Sequence, residues 1–129
     1  PGDAPLAGSF RVVTAPDGQM TGSGPHYGGA RMDLSPMARL RIGGIDMVVV
    51  GKRVQAADQE FFRHVGIEPA GMRFLAIKSS AHFRGHFQPI AEAVIDVAAP
   101  GAMAAFPADL PFTRLRPGLR LAPAGARTR

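Results

Sequence analysis

The stretch RFLAIKSSAHFRGHFQPIAEAVIDVAAPG, from Arg73 to Gly101, decides the fold. Its opening RFLAI is a short, mainly apolar run, which is typical of a buried strand. From Ala81 to Ala93 the apolar residues recur at steps of three and four, which predicts a helix that Pro89 bends or ends. Val94–Val97 is rich in β-branched residues, which predicts a returning strand. The stretch therefore predicts one strand–helix–strand unit over residues 73–97.

The polar side chains of this unit gather at its turn, between the predicted strand and the predicted helix. A serine hydroxyl at such a turn can accept a hydrogen bond from the first free N–H groups of the helix. Ligands commonly bind where a strand ends and a helix begins. The pattern indicates an anion-binding or substrate-binding edge formed by Lys78, Ser79, Ser80, His82 and Arg84. A plainer interpretation stays open, in which Ser80 only caps the helix and Lys78 is a solvated strand end.

The same segment carries a family resemblance. The pattern K-S-S-x-H-F-R-x-x-F-x-P-I-A, from Lys78 to Ala91, resembles the C-terminal domain of microcystinase C (MlrC)-type metallopeptidases. Five further blocks agree with the family in order and spacing, so the resemblance covers roughly residues 20–116. These blocks are Met32–Pro36, Leu40–Gly44, Arg53–Gln55, Phe62–Ile67 and Leu110–Arg116.

The resemblance implies an activity that belongs to a larger enzyme. MlrC-like proteins are zinc-dependent peptidases whose zinc ligands and catalytic acid lie in a separate N-terminal domain. The chain is then expected to be the C-terminal accessory domain, which shapes the substrate cleft for a peptide against that metal-bearing domain. By this resemblance, zinc is bound by the N-terminal domain, and this chain alone is expected to be inactive and to hold no metal.

The resemblance also bears on the domain boundaries. The acidic and glycine-rich D-N-P-G-G-G block that opens the family's domain is absent from this sequence. We therefore expect an N-terminally incomplete, partial domain over residues 1–116, followed by a basic tail rich in Pro and Gly over residues 117–129. The alternative function is a non-catalytic binding or interaction module derived from the family. An upstream reading frame that encodes metal ligands would favour the enzyme, and a start codon at this N-terminus would favour the module.

Composition limits the class of protein. A chain of 129 residues is long enough for one core and too short for two ordinary domains. It contains no cysteine, which excludes a disulfide framework and a thiolate metal site. The sequence contains no apolar run of membrane-spanning length and no signal peptide, so we expect a cytoplasmic protein without a membrane partner.

The net charge of +5 does not indicate a nucleic-acid partner. Residues 1–106 contain ten basic and nine acidic residues, and the surplus comes from five arginines after residue 106. A nucleic-acid binder usually carries its basic face on the folded part of the chain. The charge therefore predicts a solvated basic tail.

The rest of the chain predicts an α/β or α+β class with a mixed sheet. Phe10–Thr14 is a predicted strand that ends at the turn sequence Pro16–Gly18. Arg39–Ile42 and Ile45–Val50 flank a Gly-Gly pair, which predicts a two-residue hairpin. Asp58–Val65 predicts a short helix that Gly66 stops, with His64 as a structural residue in its last turn.

Two histidine-containing motifs are further candidates. The loop Gly22–Gly29 is glycine-rich but lacks the G-K-[ST] ending of a phosphate-binding loop. Its His26 and Tyr27 could contact substrate, or the loop could be a mobile surface loop. His82 and His86 are four residues apart, as in zinc sites that use one helical face. No Glu follows His82 and an arginine separates the pair, so we predict no metal site, and His82 is either a hydrogen-bonded cleft residue or an ordinary structural histidine.

Overall fold

The structure, a computed structural model, describes residues 7–99 and 106–121. The chain divides into two compact units. Among the described residues, one unit is Ala7–Val94 and the other comprises residues 95–99 and 106–121. The strands and α-helices all lie in the first unit.

That unit contains five strands and two one-turn α-helices. The strands are β1 (Arg11–Thr14), β2 (Gln19–Thr21), β3 (Arg31–Asp33), β4 (Met37–Ile42) and β5 (Ile45–Val50), and the helices are α1 (Glu60–Arg63) and α2 (Arg84–Phe87). Two 3₁₀ turns, Pro69–Gly71 and Gln88–Ile90, complete the unit, and the second unit has one at Pro107–Asp109. A mixed class of strands and helices is thereby confirmed.

The strands form two antiparallel sheets. One has the order β1-β4-β5, and the other pairs β2 with β3. Ile42 pairs with Ile45, so the predicted two-residue hairpin is confirmed. Gly43 adopts a φ of +54°, which favours glycine at this turn. The strand predicted at Phe10–Thr14 is confirmed as β1.

The buried core lies on one face of the three-stranded sheet. Three of its apolar side chains come from β2, β4 and the residue after β3, and three come from α1 and the turn that follows it: Met20, Leu34, Met37, Phe61, Val65 and Ile67. Val48 and Val50 of β5 pack against it. The same face carries Asp46, which accepts hydrogen bonds of 2.8 Å from the guanidinium groups of Arg39 and Arg41.

Gly66 closes the turn that follows α1, as predicted, although α1 spans Glu60–Arg63 and is shorter than the predicted Asp58–Val65. Its φ of +76° lies in the left-handed region that glycine adopts at low cost. The N–H of Gly66 donates to Arg63 O at 2.9 Å, and the N–H of Ile67 donates to Phe62 O at 3.0 Å. These are the two hydrogen bonds of a Schellman motif. Phe62 and Ile67 both pack in the core region, which adds the usual apolar contact of that motif.

The strand–helix–strand prediction over residues 73–97 is correct only in its helix. The helix is α2, one turn that begins at Arg84 instead of Ala81. Neither Arg73–Ile77 nor Val94–Val97 forms a strand, and the described strands pair antiparallel, so the mixed sheet is also wrong. Two parallel strands must be joined by a connection of a dozen or more residues, whereas only two residues join β4 to β5. That short connection allows antiparallel pairing only. Several apolar residues that suggested burial are exposed, namely Phe74 at 86%, Ile95 at 82% and Val97 at 79%, and Leu75, Ile77 and Val94 are half-buried.

Part of the remaining predictions lies outside the described residues. These are the turn at Pro100-Gly101 and residues 122–129 of the predicted tail. In residues 7–99 and 106–121, no helix has both the length and the apolar character needed to cross a membrane.

Candidate functional site

Three segments that are far apart in the sequence meet on the core side of the three-stranded sheet. They are the glycine-rich loop 22–29, the segment 55–59 before α1, and the segment 79–87 that contains α2. The loop is closed by the N–H of Gly22, which donates to Ala30 O at 2.9 Å, and by the N–H of Gly29, which donates to Gly22 O at 2.9 Å.

Gln55 links the three segments. Its side-chain oxygen Oε1 lies 2.8 Å from His82 Nδ1 and accepts from the Ser79 hydroxyl at 3.3 Å. Its backbone oxygen accepts from the Tyr27 hydroxyl at 3.3 Å. One residue therefore holds side chains from both the loop and the segment before α2.

The aromatic rings of the loop stack against this segment. The His26 and His82 rings are stacked with centroids 4.1 Å apart and planes 21° apart. Tyr27 meets His26 edge to face at 4.4 Å. On its other side Tyr27 lies 6.1 Å from Phe61, a core residue. The exposed rings of His26 and His82 are therefore connected to the buried core through Tyr27.

The contact with Gln55 sets the chemistry of His82. An amide oxygen only accepts hydrogen bonds, so Nδ1 of His82 carries the hydrogen. In the neutral ring Nε2 is then an acceptor, and His82 is exposed. The cluster of His26, Tyr27, Gln55, Ser79 and His82, named here the imidazole cluster, is a hydrogen-bonding surface that suits amide groups.

A second polar centre lies beneath the loop, around the buried carboxylate of Asp58. Asp58 Oδ2 accepts from the N–H of Gly24 at 2.7 Å, and Oδ1 accepts from the N–H of Glu60 at 3.0 Å. His86 Nδ1 lies 3.3 Å from Asp58 Oδ1 and accepts from the N–H of Gln59 at 3.1 Å. Asp58 thus holds the loop and the start of α1, and the backbone N–H of Gln59 links this support to His86 of α2.

Two further contacts fix this support. The side-chain amide of Gln59 donates to His86 O, and its Oε1 accepts from Arg63 at 2.8 Å. Hydrogen bonds from Arg63 to Glu68 and Glu60 raise the pKa of the Arg63 guanidinium above its ordinary value. Arg63 therefore stays charged, and it orients the Gln59 amide toward α2.

The structure brings together four of the seven residues predicted for the site: His26, Tyr27, Ser79 and His82. Lys78 and Ser80 are exposed, and their side chains make no hydrogen bond to another described residue. The guanidinium of Arg84 lies 5.3 Å from the centre of the Phe83 ring. The hypothesis that Ser80 caps the helix is wrong, because the cap residue is Phe83 and no side chain caps α2.

The histidine spacing does not produce a shared helical face. α2 begins after His82, so His82 faces Gln55 while His86 faces Asp58 and Gln59. Among the described residues, no group of three His, Asp or Glu side chains is placed to hold a metal ion. The oxygens of Asp58 are occupied by backbone N–H groups. The described residues therefore do not fit a zinc ion.

Sequence reasoning missed Gln55, Asp58 and Gln59 as site residues. In the sequence, Asp58 is only the first residue of the predicted helix Asp58–Val65. Gln55 is only part of Arg53–Gln55, one of the blocks that resemble the family. Their roles depend on contacts across 24 to 34 sequence positions, which no local pattern reveals.

Comparison with known proteins gives two matches. The family model described as MlrC C-terminus matches residues 1–114. Microcystinase C from Sphingomonas sp. is 36% identical over 70 residues, which cover 54% of this chain and 14% of that protein. The aligned part is therefore a small fraction of this relative's length. No solved structure matches the chain.

Proposed function

The chain belongs to the MlrC C-terminus family, and from this we propose that it is the accessory domain of a zinc-dependent peptidase or amide hydrolase. Its role is to shape the substrate cleft against a metal-bearing N-terminal domain. The substrate class is a peptide, and the setting is the cytoplasm. In this proposal the chain contributes binding and orientation, and it is inactive by itself.

The observation that carries this proposal is the imidazole cluster. His82 is exposed, yet Gln55 fixes its Nδ1 and His26 stacks on its face. A side chain held in this way loses little freedom when it binds, which is the advantage of a preorganised site. Its free Nε2 can accept from a peptide N–H, and the nearby Ser79 hydroxyl can contact a peptide oxygen.

Zinc belongs to the partner domain in this proposal. When bound there, zinc would polarise the scissile carbonyl and activate a water molecule. The contribution of the present chain is to hold the peptide backbone through His82 and Ser79 while the ring of His26 limits the movement of His82.

A two-component assay tests the proposal. The chain is combined with the part of Microcystinase C from Sphingomonas sp. that lies outside the matched segment, and peptide hydrolysis is measured with zinc present. The intact chain should raise turnover. His82→Ala should reduce this gain about tenfold, which corresponds to the loss of one hydrogen bond worth about 1.4 kcal/mol.

His64→Ala is the matched control. His64 lies at the end of α1, with Nε2 3.5 Å from Asp17 Oδ1 and away from the cluster, so turnover should stay unchanged. A reduced gain in His82→Ala together with a lowered melting temperature would make His82 structural. No gain from the intact chain would reject the accessory-domain function and favour a binding module.

A further inference from the structure

Three charged residues form a row across the three-stranded sheet near its hairpin end. Arg11 of β1 pairs with Arg41 of β4, and Arg41 pairs with Asp46 of β5. Residues paired across antiparallel strands project to the same side of a sheet, so these three side chains lie side by side. They are named here the arginine row. The core covers the other end of this face, where Val48 and Val50 pack against it, whereas Arg11 is exposed.

The only carboxylate of the row is engaged on the side away from Arg11. Asp46 accepts from Nε and Nη2 of Arg41 and from Nη2 of Arg39, each at 2.8 Å. Because β4 lies between β1 and β5, two strand spacings of about 4.8 Å each separate Asp46 from Arg11. Asp46 is therefore shared by two guanidinium groups, and it forms no ion pair with the third.

This part of the sheet has more hydrogen-bond donors than acceptors. Like charges directly opposite each other destabilise a strand pair, yet Arg11 and Arg41 are opposite. In residues 7–99 and 106–121, the guanidinium of Arg11 has no hydrogen bond or ion pair, and Nη1 of Arg41 is not used by Asp46. Arg39 shows the same shortage, because its buried Nε has no acceptor among the described residues. The row therefore presents two guanidinium groups to an acceptor from a ligand.

We propose that Arg11 and Arg41 bind the phosphate group of a ligand. A guanidinium group matches two phosphate oxygens with two parallel N–H donors. Directly opposite residues have Cβ atoms about 5 Å apart, so one phosphate can contact both arginines. Together with Arg39, three guanidinium groups face one carboxylate, which leaves two positive charges. A phosphate monoester carries about −1.5 to −2 charges at pH 7 and balances them, whereas one carboxylate balances only half.

The phosphate site is independent of the proposed peptidase role. In the described part of the chain, no hydrogen bond or ring contact joins the arginine row to the imidazole cluster, whose contacts are made by Gln55 and Tyr27. The site therefore gives the domain a second ligand. Phosphate binding can be measured without the metal-bearing domain, so the failure of one proposal leaves the other open to its own test.

Titration of the full chain with inorganic phosphate, followed by the guanidinium Nε–H signals in NMR spectra, tests the proposal. Sodium chloride keeps the ionic strength constant, because salt screens exposed charges. The signals of Arg11 and Arg41, assigned from Arg11→Gln and Arg41→Gln, should shift together and saturate with a Kd of about 1 mM. Arg11→Gln should weaken binding about tenfold, the effect of losing one hydrogen bond to a charged group. Arg31→Gln is the matched control, since Arg31 is an exposed arginine of the other sheet and should bind like the unmodified chain.

Two further probes define the ligand. Phenyl phosphate should bind more tightly than inorganic phosphate if the ligand is an organic phosphate monoester, and more weakly if it is free phosphate. Acetate should bind more weakly than both, because it carries a single charge. Circular dichroism verifies that all variants fold. Shifts that never saturate, equal losses in Arg11→Gln and Arg31→Gln, or tighter binding of acetate than of phosphate would each overturn the proposal.

Discussion

Asp58 accepts a hydrogen bond of 2.7 Å from the backbone N–H of Gly24, although 34 sequence positions separate the two residues. Asp58 is fully buried and also accepts from the N–H of Glu60. The contact fixes the glycine-rich loop on the start of α1. Because His26 and Tyr27 lie in that loop, the position of the imidazole cluster depends on a carboxylate that has no direct contact with it.

Replacing Asp58 should destabilise the fold more than an ordinary surface change. In Asp58→Ala the buried N–H of Gly24 and the partly buried N–H of Glu60 lose their acceptor, and each unsatisfied buried group costs about 1 to 3 kcal/mol. We expect the free energy of unfolding to fall by about 2 to 4 kcal/mol in urea titrations. Glu92→Ala is the control, because Glu92 is exposed, and its effect should stay within about 0.5 kcal/mol. Equal effects of the two changes would contradict the role of Asp58.

A side chain at Gly24 should collide with His86. A Cβ at position 24 would lie 2.1 Å from His86 Nδ1, so the imidazole must leave its place between Asp58 and Gln59. Gly24→Ala should lower the free energy of unfolding by about 1 to 3 kcal/mol, as overpacking does. Gly44→Ala, at a position with open space and no positive φ, should be tolerated.

A double-mutant cycle isolates this collision. Once His86→Ala has removed the ring, adding Gly24→Ala should cost no more than about 0.5 kcal/mol. A full penalty for Gly24→Ala in that background would show that the backbone of the loop, and not the ring of His86, limits position 24.

Stability should fall in acid partly through Asp46. Hydrogen bonds from Arg41 and Arg39 hold the pKa of the Asp46 carboxyl below its ordinary value. Asp46 therefore contributes stability above the unfolded pKa of about 3.9, and this contribution is lost as the pH falls toward the lower folded pKa. Glu68, whose pKa is lowered by Arg63, acts in the same direction.

Urea midpoints measured between about pH 2 and pH 7 verify this effect. Asp46→Asn should flatten the acid limb of the profile, and the difference should shrink in about 1 M salt because salt screens ion pairs that are only partly buried. Glu92→Gln should leave the shape of the profile unchanged. An unaltered acid limb in Asp46→Asn would assign acid sensitivity to other carboxylates.

The isolated chain should bind zinc weakly. A catalytic zinc site usually has three protein ligands and an open position. His82 is held by Gln55 and His86 by Gln59, and the described residues offer no group of three ligands. Calorimetric titration of the chain with zinc should therefore detect no stoichiometric site of submicromolar affinity. Such a site, if lost in His82→Ala, would move the metal from the proposed partner domain to this chain.

The local elements with strong turn chemistry could be predicted from the sequence. The β4–β5 hairpin follows from two glycines between apolar runs, and the end of α1 follows from Gly66, because these positions need backbone conformations that glycine adopts cheaply. The family followed from the ordered blocks around Lys78–Ala91. Within the site, the sequence singled out His82 and Ser79 as candidates, but it did not reveal that both contact Gln55.

Tertiary contacts decided the rest. An apolar run such as Arg73–Ile77 becomes a strand only if another strand offers its N–H and C=O groups, and that partner is not encoded in the run itself. His82 and His86 are four residues apart in the sequence, yet Gln55 holds the first and Gln59 holds the second in separate environments. The sequence by itself determined the hairpin, the helix end and the family. The tertiary structure decided which polar groups meet, because hydrogen bonds between distant segments form only after the core has brought those segments together.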